Sequence, residues 1–347
     1  MNSREIVTKA AFRQEIPRVP VAILSGGAWT FNRQGLSLKE ALGIGAKRAA
    51  DIIASTNEQV GSDIVWAGSG YHNLVLQAIG AKIKFRATGV PDIQEPLLQK
   101  ASDVDEIDLK RLQDDEQINV LWDTGRLLAT DIGAATVVGA SSWGPFTLAG
   151  LAYGADSLLR NMYYDSAAVH KILDFSAELC YQYLEPYIKG GAGIISIADP
   201  SASGNLISRK HFQEFSLPYL RKVIQRVREK GVLTLVHICG NISNRLDLIT
   251  EIGADIISVD YKVDLGYART TVGSVMAFAG NMDPVTVMLD LKPDEVARAC
   301  EECINRAGKG SGYILMPGCD IPPNVPLENL RAMVAVAHNY NFEKEVG

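Results

Sequence analysis

Short apolar runs rich in β-branched residues recur along the chain, each ending in Gly, Ser, Asp, Asn or Pro before a stretch with helical spacing. Eight of these runs read as strands: Arg18–Leu24, Asp63–Ala67, Ala135–Ala140, Ala192–Asp199, Leu233–Cys239, Ala254–Asp260, Val275–Gly280 and Tyr313–Met316. Helical periodicity follows over Leu38–Gln59, Asp165–Lys189, Ser208–Lys230, Ser243–Glu251, Lys292–Ala307 and Leu327–Asn339. The runs Gly193–Ala198 and Asp255–Val259 are almost wholly apolar, which marks parallel strands buried on both faces. Eight strands alternating with helices predict an α/β fold, a closed (β/α)8 TIM barrel. An open, doubly wound sheet of six or seven strands is the alternative. Ser208 reads as an N-cap, and Pro293-Asp294-Glu295 places negative charge in a first helical turn. The rhythm breaks over 78–133, where Ala81–Phe85 alternates like an exposed strand and Asp103–Asp115 is acidic. This segment is expected to be an insertion between the second and third strands, a small hairpin plus helices. With no internal repeat and no linker, the expected organisation is one barrel domain over residues 1–347.

Composition narrows the class. Hydrophobic residues make up 47% and charged residues 21% of 347, enough apolar material for a large core, which excludes a disordered chain or a disulfide-stapled miniature. Forty acidic against 34 basic side chains give a net charge of -6 with no Lys/Arg-rich run, so nucleic acid is not an expected partner. Apolar stretches fall far short of the ~20 residues that span a bilayer, so no membrane association is expected. Met1 to Pro20 is charged and lacks an apolar core, so no signal peptide is evident. Five cysteines, an odd and sparse set, suit a reducing compartment. A cytoplasmic enzyme is the expectation.

In a barrel of this kind the active site forms at the C-terminal ends of the strands. The sharpest group there is His237-x-Cys239 together with Cys319. Residues two apart on a strand project to the same face, so His237 and Cys239 can converge, and Cys319 follows the last strand to the same mouth. One imidazole and two thiolates suit Zn²⁺ with its fourth position open. The plainer alternative is two buried cysteines packed as small apolar groups and a core histidine. Asp260, ending the neighbouring strand, is a candidate fourth ligand, an acceptor for the free imidazole N–H, or a helix N-cap. Cys300 and Cys303 form a C-x-x-C inside a helical pattern and read as packing residues, as does Cys180. His170, His211 and His338 lie on helices and read as structural or surface residues. His72 sits in a loop after the second strand, where it can touch a ligand. No G-x-G-x-x-G, phosphate loop, G-x-S-x-G elbow or D-x-H-x-x-G corrinoid signature is present.

These residues resemble the uroporphyrinogen decarboxylase (URO-D) superfamily, and within it the MtaA/CmuA-type methylcobamide:thiol methyltransferase branch. The resemblance is carried by Arg18-Val-Pro-Val21, by Asp199–Ser208 followed by Phe212-x-Glu-Phe-x-x-Pro-Tyr-Leu220, by Gly280-Asn-Met-Asp-Pro284, and by the H-x-C…C pattern of His237, Cys239 and Cys319. It implies a (β/α)8 barrel and zinc-dependent transfer of a methyl group between a corrinoid and an acceptor. The acceptor would be a thiol such as coenzyme M or another acceptor such as tetrahydrofolate. With no corrinoid motif in the chain, the cobalamin is expected on a separate carrier protein. On this reading His237, Cys239 and Cys319 are ligands and Asp260 is a displaceable ligand or supports one. Asp199, Ser201, Asn281 and Asp283 shape the mouth or hold the acceptor, and Trp143 and Trp29 offer flat surface to a ring or simply pack. The alternative within the superfamily is uroporphyrinogen decarboxylase itself. That enzyme needs a cluster of arginines for a polycarboxylate tetrapyrrole, whereas Ser25–Gln34 here carries only Arg33.

Overall fold

The computed structural model describes residues 1–24, 26–310 and 312–340, so Ser25 of the first strand end lies outside the described residues. Seven parallel strands, β1 (Ile64–Ala67), β2 (Val137–Trp143), β3 (Ile194–Ala198), β4 (Leu233–Ile238), β5 (Ile256–Val259), β6 (Ala277–Met282) and β7 (Tyr313–Pro317), pair in chain order. The expected strand Arg18–Leu24 is reduced to bridges from Val21 to Leu315 and from Ala22 to Ile64. Pro17 and Pro20 remove N–H donors, which limits pairing there. Those few bonds nevertheless join β7 to β1: Ala22 N–H donates to Leu315 O at 3.0 Å, and Asp63 N–H donates to Val21 O at 2.8 Å. The result is a (β/α)8 barrel closed by a short eighth stave.

Arg18 fastens the same seam. Its guanidinium meets buried Asp63 at 2.6 and 2.8 Å, and Asp63 Oδ2 also accepts from Val21 N–H. Burial alone would raise the Asp63 carboxyl, but Arg18 and the other donors outweigh it and hold the group well below the usual carboxylate range.

The strands read as continuous apolar runs because each buries both faces, and the two faces build separate cores. The inner one gathers Leu24, Trp66, Val137, Ile194, Leu235, Ile256 and Met316 with Val7, Ala10 and Ala11. Those last three come from a helix, Ser3–Ala11, that plugs the floor of the barrel and that periodicity did not reveal. Gly139 faces inward, where an added Cβ would lie 2.5 Å from the Trp66 ring, so its lack of a side chain makes room for that indole. The outer core packs Val65, Ile195, Val236, Ile257 and Phe278 against Val169, Ile172, Leu220 and Val223 of the surrounding helices.

Helix boundaries differ from the periodicity in two informative places. Leu38–Gln59 divides into Leu38–Gly43 and Ala46–Val60, because Gly45 sits at φ +81. Ser208 is an N-cap, accepting from His211 N–H, yet the helix widens into a π turn over Phe212–Ser216 before Leu217–Arg228. Pro218 cannot donate back along that turn, which removes one rung of the α-ladder. Within 78–133 the chain forms an antiparallel pair, Ile83–Lys84 with Asp92–Ile93, and then the helix Glu116–Asp131. That helix packs on β1 and β2 as part of the outer ring. Among the described residues no helix is long and apolar enough to cross a membrane.

Candidate metal centre

His237, near the end of β4, lies in register between Ala198 of β3 and Ser258 of β5. Its Nε2 is 3.2 Å from Cys239 Sγ, two residues on and on the same face. Cys319 arrives from beyond β7. An added Cβ on Gly318 would lie 2.4 Å from Tyr261 N, so only glycine lets this turn press against the loop after β5. Cys319 Sγ then comes to 3.6 Å from Cys239 Sγ, and all three donor atoms lie within 4.8 Å of one another. Ligands ~2.3 Å (sulfur) and ~2.0 Å (nitrogen) from a tetrahedral ion stand roughly 3.5–3.8 Å apart, so the donor set and its spacing fit zinc with one position left over. Among the described residues this is the one such grouping of His, Cys, Asp and Glu.

The thiols are unequal. The hydrogen bond between them pushes the Cys239 thiol up, and burial adds to this. The same bond, aided by His237, pulls Cys319 down against burial. One negative charge therefore resides on this pair readily, and a second needs a cation beside it.

Asp260, expected as a fourth ligand or as the imidazole's acceptor, stands outside the grouping of His237, Cys239 and Cys319 and does not meet the imidazole. Its Oδ2 accepts from Gly240 N–H at 2.8 Å and its Oδ1 from Lys262 N–H at 3.0 Å, so it pins the backbone next to Cys239. The partner of His237 Nδ1 is Ser258 Oγ at 3.1 Å, a serine that sequence reasoning missed. Its signal was available: Ser258 precedes Asp260 by two and shares its face. Nor is Asp260 a helix cap, since Asp264 caps Leu265–Val272.

The remaining candidates separate by distance from the cavity. Asp199 is wholly buried at the N-terminus of the helix Pro145–Tyr153, accepting from Thr147 N–H at 2.7 Å and Thr147 Oγ at 2.6 Å. Burial pushes its carboxyl up to about 6 against those donors. It ties β3 to that helix and is not among the residues that line the cavity beside His237. Ser201 N–H bonds Thr147 Oγ in the same knot. Asn281 Nδ2 donates to Asp260 O and Val263 O, bracing the loop after β5, and Asp283 Oδ1 accepts from Val285 and Thr286 N–H to hold its own turn. Trp29 is buried with its indole N–H on Val325 O and packs in the core.

Trp143 does reach the site. It lines a cavity of about 80 Å³ with His237, Cys239 and Cys319, and His72, Ser141, Ser196 and Asp320 complete the polar wall. Its indole N–H donates to Asn73 Oδ1 at 2.7 Å, fixing the ring.

Residues 2–340 match the family model of uroporphyrinogen decarboxylase (URO-D). The chain is similar to a methylcobamide:CoM methyltransferase (MtbA) of Methanosarcina mazei, 35% identical over 244 residues, 67% of this chain and 70% of that protein. It is also similar to a uroporphyrinogen decarboxylase of Coxiella burnetii, 28% identical over 277 residues, 77% of this chain and 75% of that one. Among solved structures, a methyltransferase from Methanosarcina mazei matches with a TM-score of 0.88 at 23% identity, over 97% of this chain and 98% of its own, which shows the shared fold. With its barrel and nearly its whole length accounted for in this way, the chain belongs to the uroporphyrinogen decarboxylase family.

Proposed function

We propose that this chain is a zinc-dependent methyltransferase, moving a methyl group between a corrinoid on a separate carrier protein and a small acceptor, a thiol before tetrahydrofolate. The observation that carries the reading is the meeting of His237, Cys239 and Cys319 at the open end of the barrel. The first relative named above, a methylcobamide:CoM methyltransferase, supports the same chemistry.

His237, Cys239 and Cys319 would hold the ion. Held by two thiolates and one imidazole, zinc would supply a nearly neutral centre that lowers the proton affinity of a substrate thiol and keeps its sulfur nucleophilic. Ser258 fixes the ring of His237, so Nε2 faces the thiols. Asp260 clamps Gly240 and thereby sets the position of Cys239. Trp143, Leu24 and Val90 give the cavity an apolar wall that excludes water from the sulfur that attacks. The methyl-bearing partner docks over the mouth, where the cavity opens.

Metal analysis of the purified protein, paired with methylcobalamin consumption across several thiols and tetrahydrofolate, tests the reading. About one Zn²⁺ per chain and chelator-sensitive methyl transfer are expected. Activity on a polycarboxylate tetrapyrrole that survives chelation would move the chain to the decarboxylases.

A further inference from the structure

Two features of the mouth cavity are left unused by the metal ligands. The first is its charge. Among the described residues no lysine or arginine lines it, and Asp320 adds an acidic side chain, its Oδ1 accepting from Gly26 N–H at 2.8 Å. The helix Pro145–Tyr153, whose N-terminus would attract an anion, already holds Asp199. The second feature is His72. It is 6% exposed, lies against Trp143 with the two rings tilted by 41° and centroids 4.5 Å apart, and meets Ser141 Oγ through Nε2 at 2.7 Å. Its Nδ1 has no partner in the protein. Burial lowers its pKa to about 4, so at neutral pH the ring offers hydrogen bonding without charge.

We propose, resting on the methyl-transfer reading, that this cavity takes a short thiol whose far end is uncharged and hydrogen-bonds at His72 and Ser141, and that it rejects thiols ending in an anion. Size agrees with this. At roughly 10–15 Å³ per water by the same measure, 80 Å³ holds about half a dozen heavy atoms. An anionic group moved into this space leaves its hydration and gains no cation in return. A hydroxyl or amide end gives up less and meets the imidazole and the serine. On this inference the chain would accept a different thiol from the CoM named for the methyltransferase it is similar to, with the same group transferred.

The test is calorimetric titration of the metal-replete protein at neutral pH with 2-mercaptoethanol, 2-mercaptoethanesulfonate and 2-mercaptoethylamine, three thiols on one two-carbon arm. The neutral thiol should bind at least about tenfold more tightly than the sulfonate. His72→Phe, which keeps a flat ring against Trp143, should remove most of that margin without changing metal content. Ser141→Ala serves the same purpose if that variant fails to fold. The proposal is overturned if the sulfonate binds as tightly as the alcohol, if the amine binds tightest, or if both variants leave the margin intact. Methylcobalamin consumption with the same thiols separates the two readings. A neutral thiol bound selectively but never methylated sinks the methyl transfer and leaves the cavity preference standing. Fastest methylation of the sulfonate does the reverse.

Discussion

Cys300 and Cys303 lie three residues apart on one helix, whereas Cys239 and Cys319 are 80 residues apart and follow different strands. The distant pair meets, with Sγ atoms 3.6 Å apart beside an imidazole. The near pair does not enter any grouping of metal-ligating side chains among the described residues. Cys300 is wholly buried in the apolar layer between its helix and the sheet, Cys303 half-buried beside it, and burial pushes both thiols up. Strand ends around a closed sheet bring remote residues to one point, while a helix on the outer ring points its inward face into packing. Spacing along the sequence therefore does not tell which pair joins an imidazole, and topology does.

The largest effect that can break this contrast comes from Cys239→Ala or Cys319→Ala. Either should take the metal of the purified protein from about one per chain to near zero. Methyl transfer should fall by well over the ~100-fold that loss of a supporting outer residue costs. Circular dichroism should be unchanged, because neither side chain belongs to a hydrophobic core cluster. Full metal retention in either variant would end the contrast.

Acid sharpens it next. Metal must displace the proton that the hydrogen bond to Cys319 and burial hold on Cys239, so affinity should fall at least about tenfold per pH unit on acidification. The barrel seam responds at lower pH. Asp63 has a depressed folded-state pKa, so its contribution to stability is complete above the unfolded value of ~3.9 and is lost only as pH falls through the lower folded value. Metal release followed by colorimetric chelator should precede loss of the far-ultraviolet signal. Simultaneous loss would mean that the ion holds the fold together.

Much of this was legible in the chain, for identifiable reasons. Parallel strands buried on both faces announce themselves as unbroken apolar runs, so seven strands and six helical segments could be read directly, while the helices Pro145–Tyr153, Ala155–Tyr164 and Leu265–Val272 were not. The first stave could not be read at its true length, because Pro17 and Pro20 decide its pairing and apolarity does not. The floor helix Ser3–Ala11 was hidden because it is short and mostly polar, burying Ile6, Val7, Ala10 and Ala11. At the site, residue type and strand-end placement singled out His237, Cys239 and Cys319, which the fold brings together, and Trp143, which lines the same cavity. The same logic could not tell which contacts Asp199 and Asp260 make, since carboxylates at strand ends also hold helix N-termini and loop N–H groups: Asp199 bonds Thr147, and Asp260 supports the loop beside Cys239. Ser258 and Ser196 were passed over because a serine carries no distinctive chemistry until its neighbour is known.

Asp260→Asn is the finer probe of how the Cys239 loop is held. An amide offers one acceptor oxygen in place of two, so either Gly240 or Lys262 N–H loses its partner. With all three ligands still present, metal content at saturation should stay near one per chain, while affinity measured by chelator competition falls about 10–100-fold. Unchanged affinity would free the Cys239 loop from this carboxylate.

The smallest effects belong to the helix pair, and they complete the comparison. Cys300→Ala removes a fully buried sulfur from contact with the outer core, and about 1 kcal/mol of stability should be lost through the small void. Cys303→Ala, at a half-buried position, should cost less than ~0.5 kcal/mol. Urea midpoints read both changes at constant slope. Metal content and methyl transfer should match the parent in each case, since both thiols pack in the helix layer and stand outside the His237, Cys239 and Cys319 grouping. A drop in bound metal in Cys303→Ala would show that the helix pair reaches the mouth after all, and proximity in sequence would then have been the better guide.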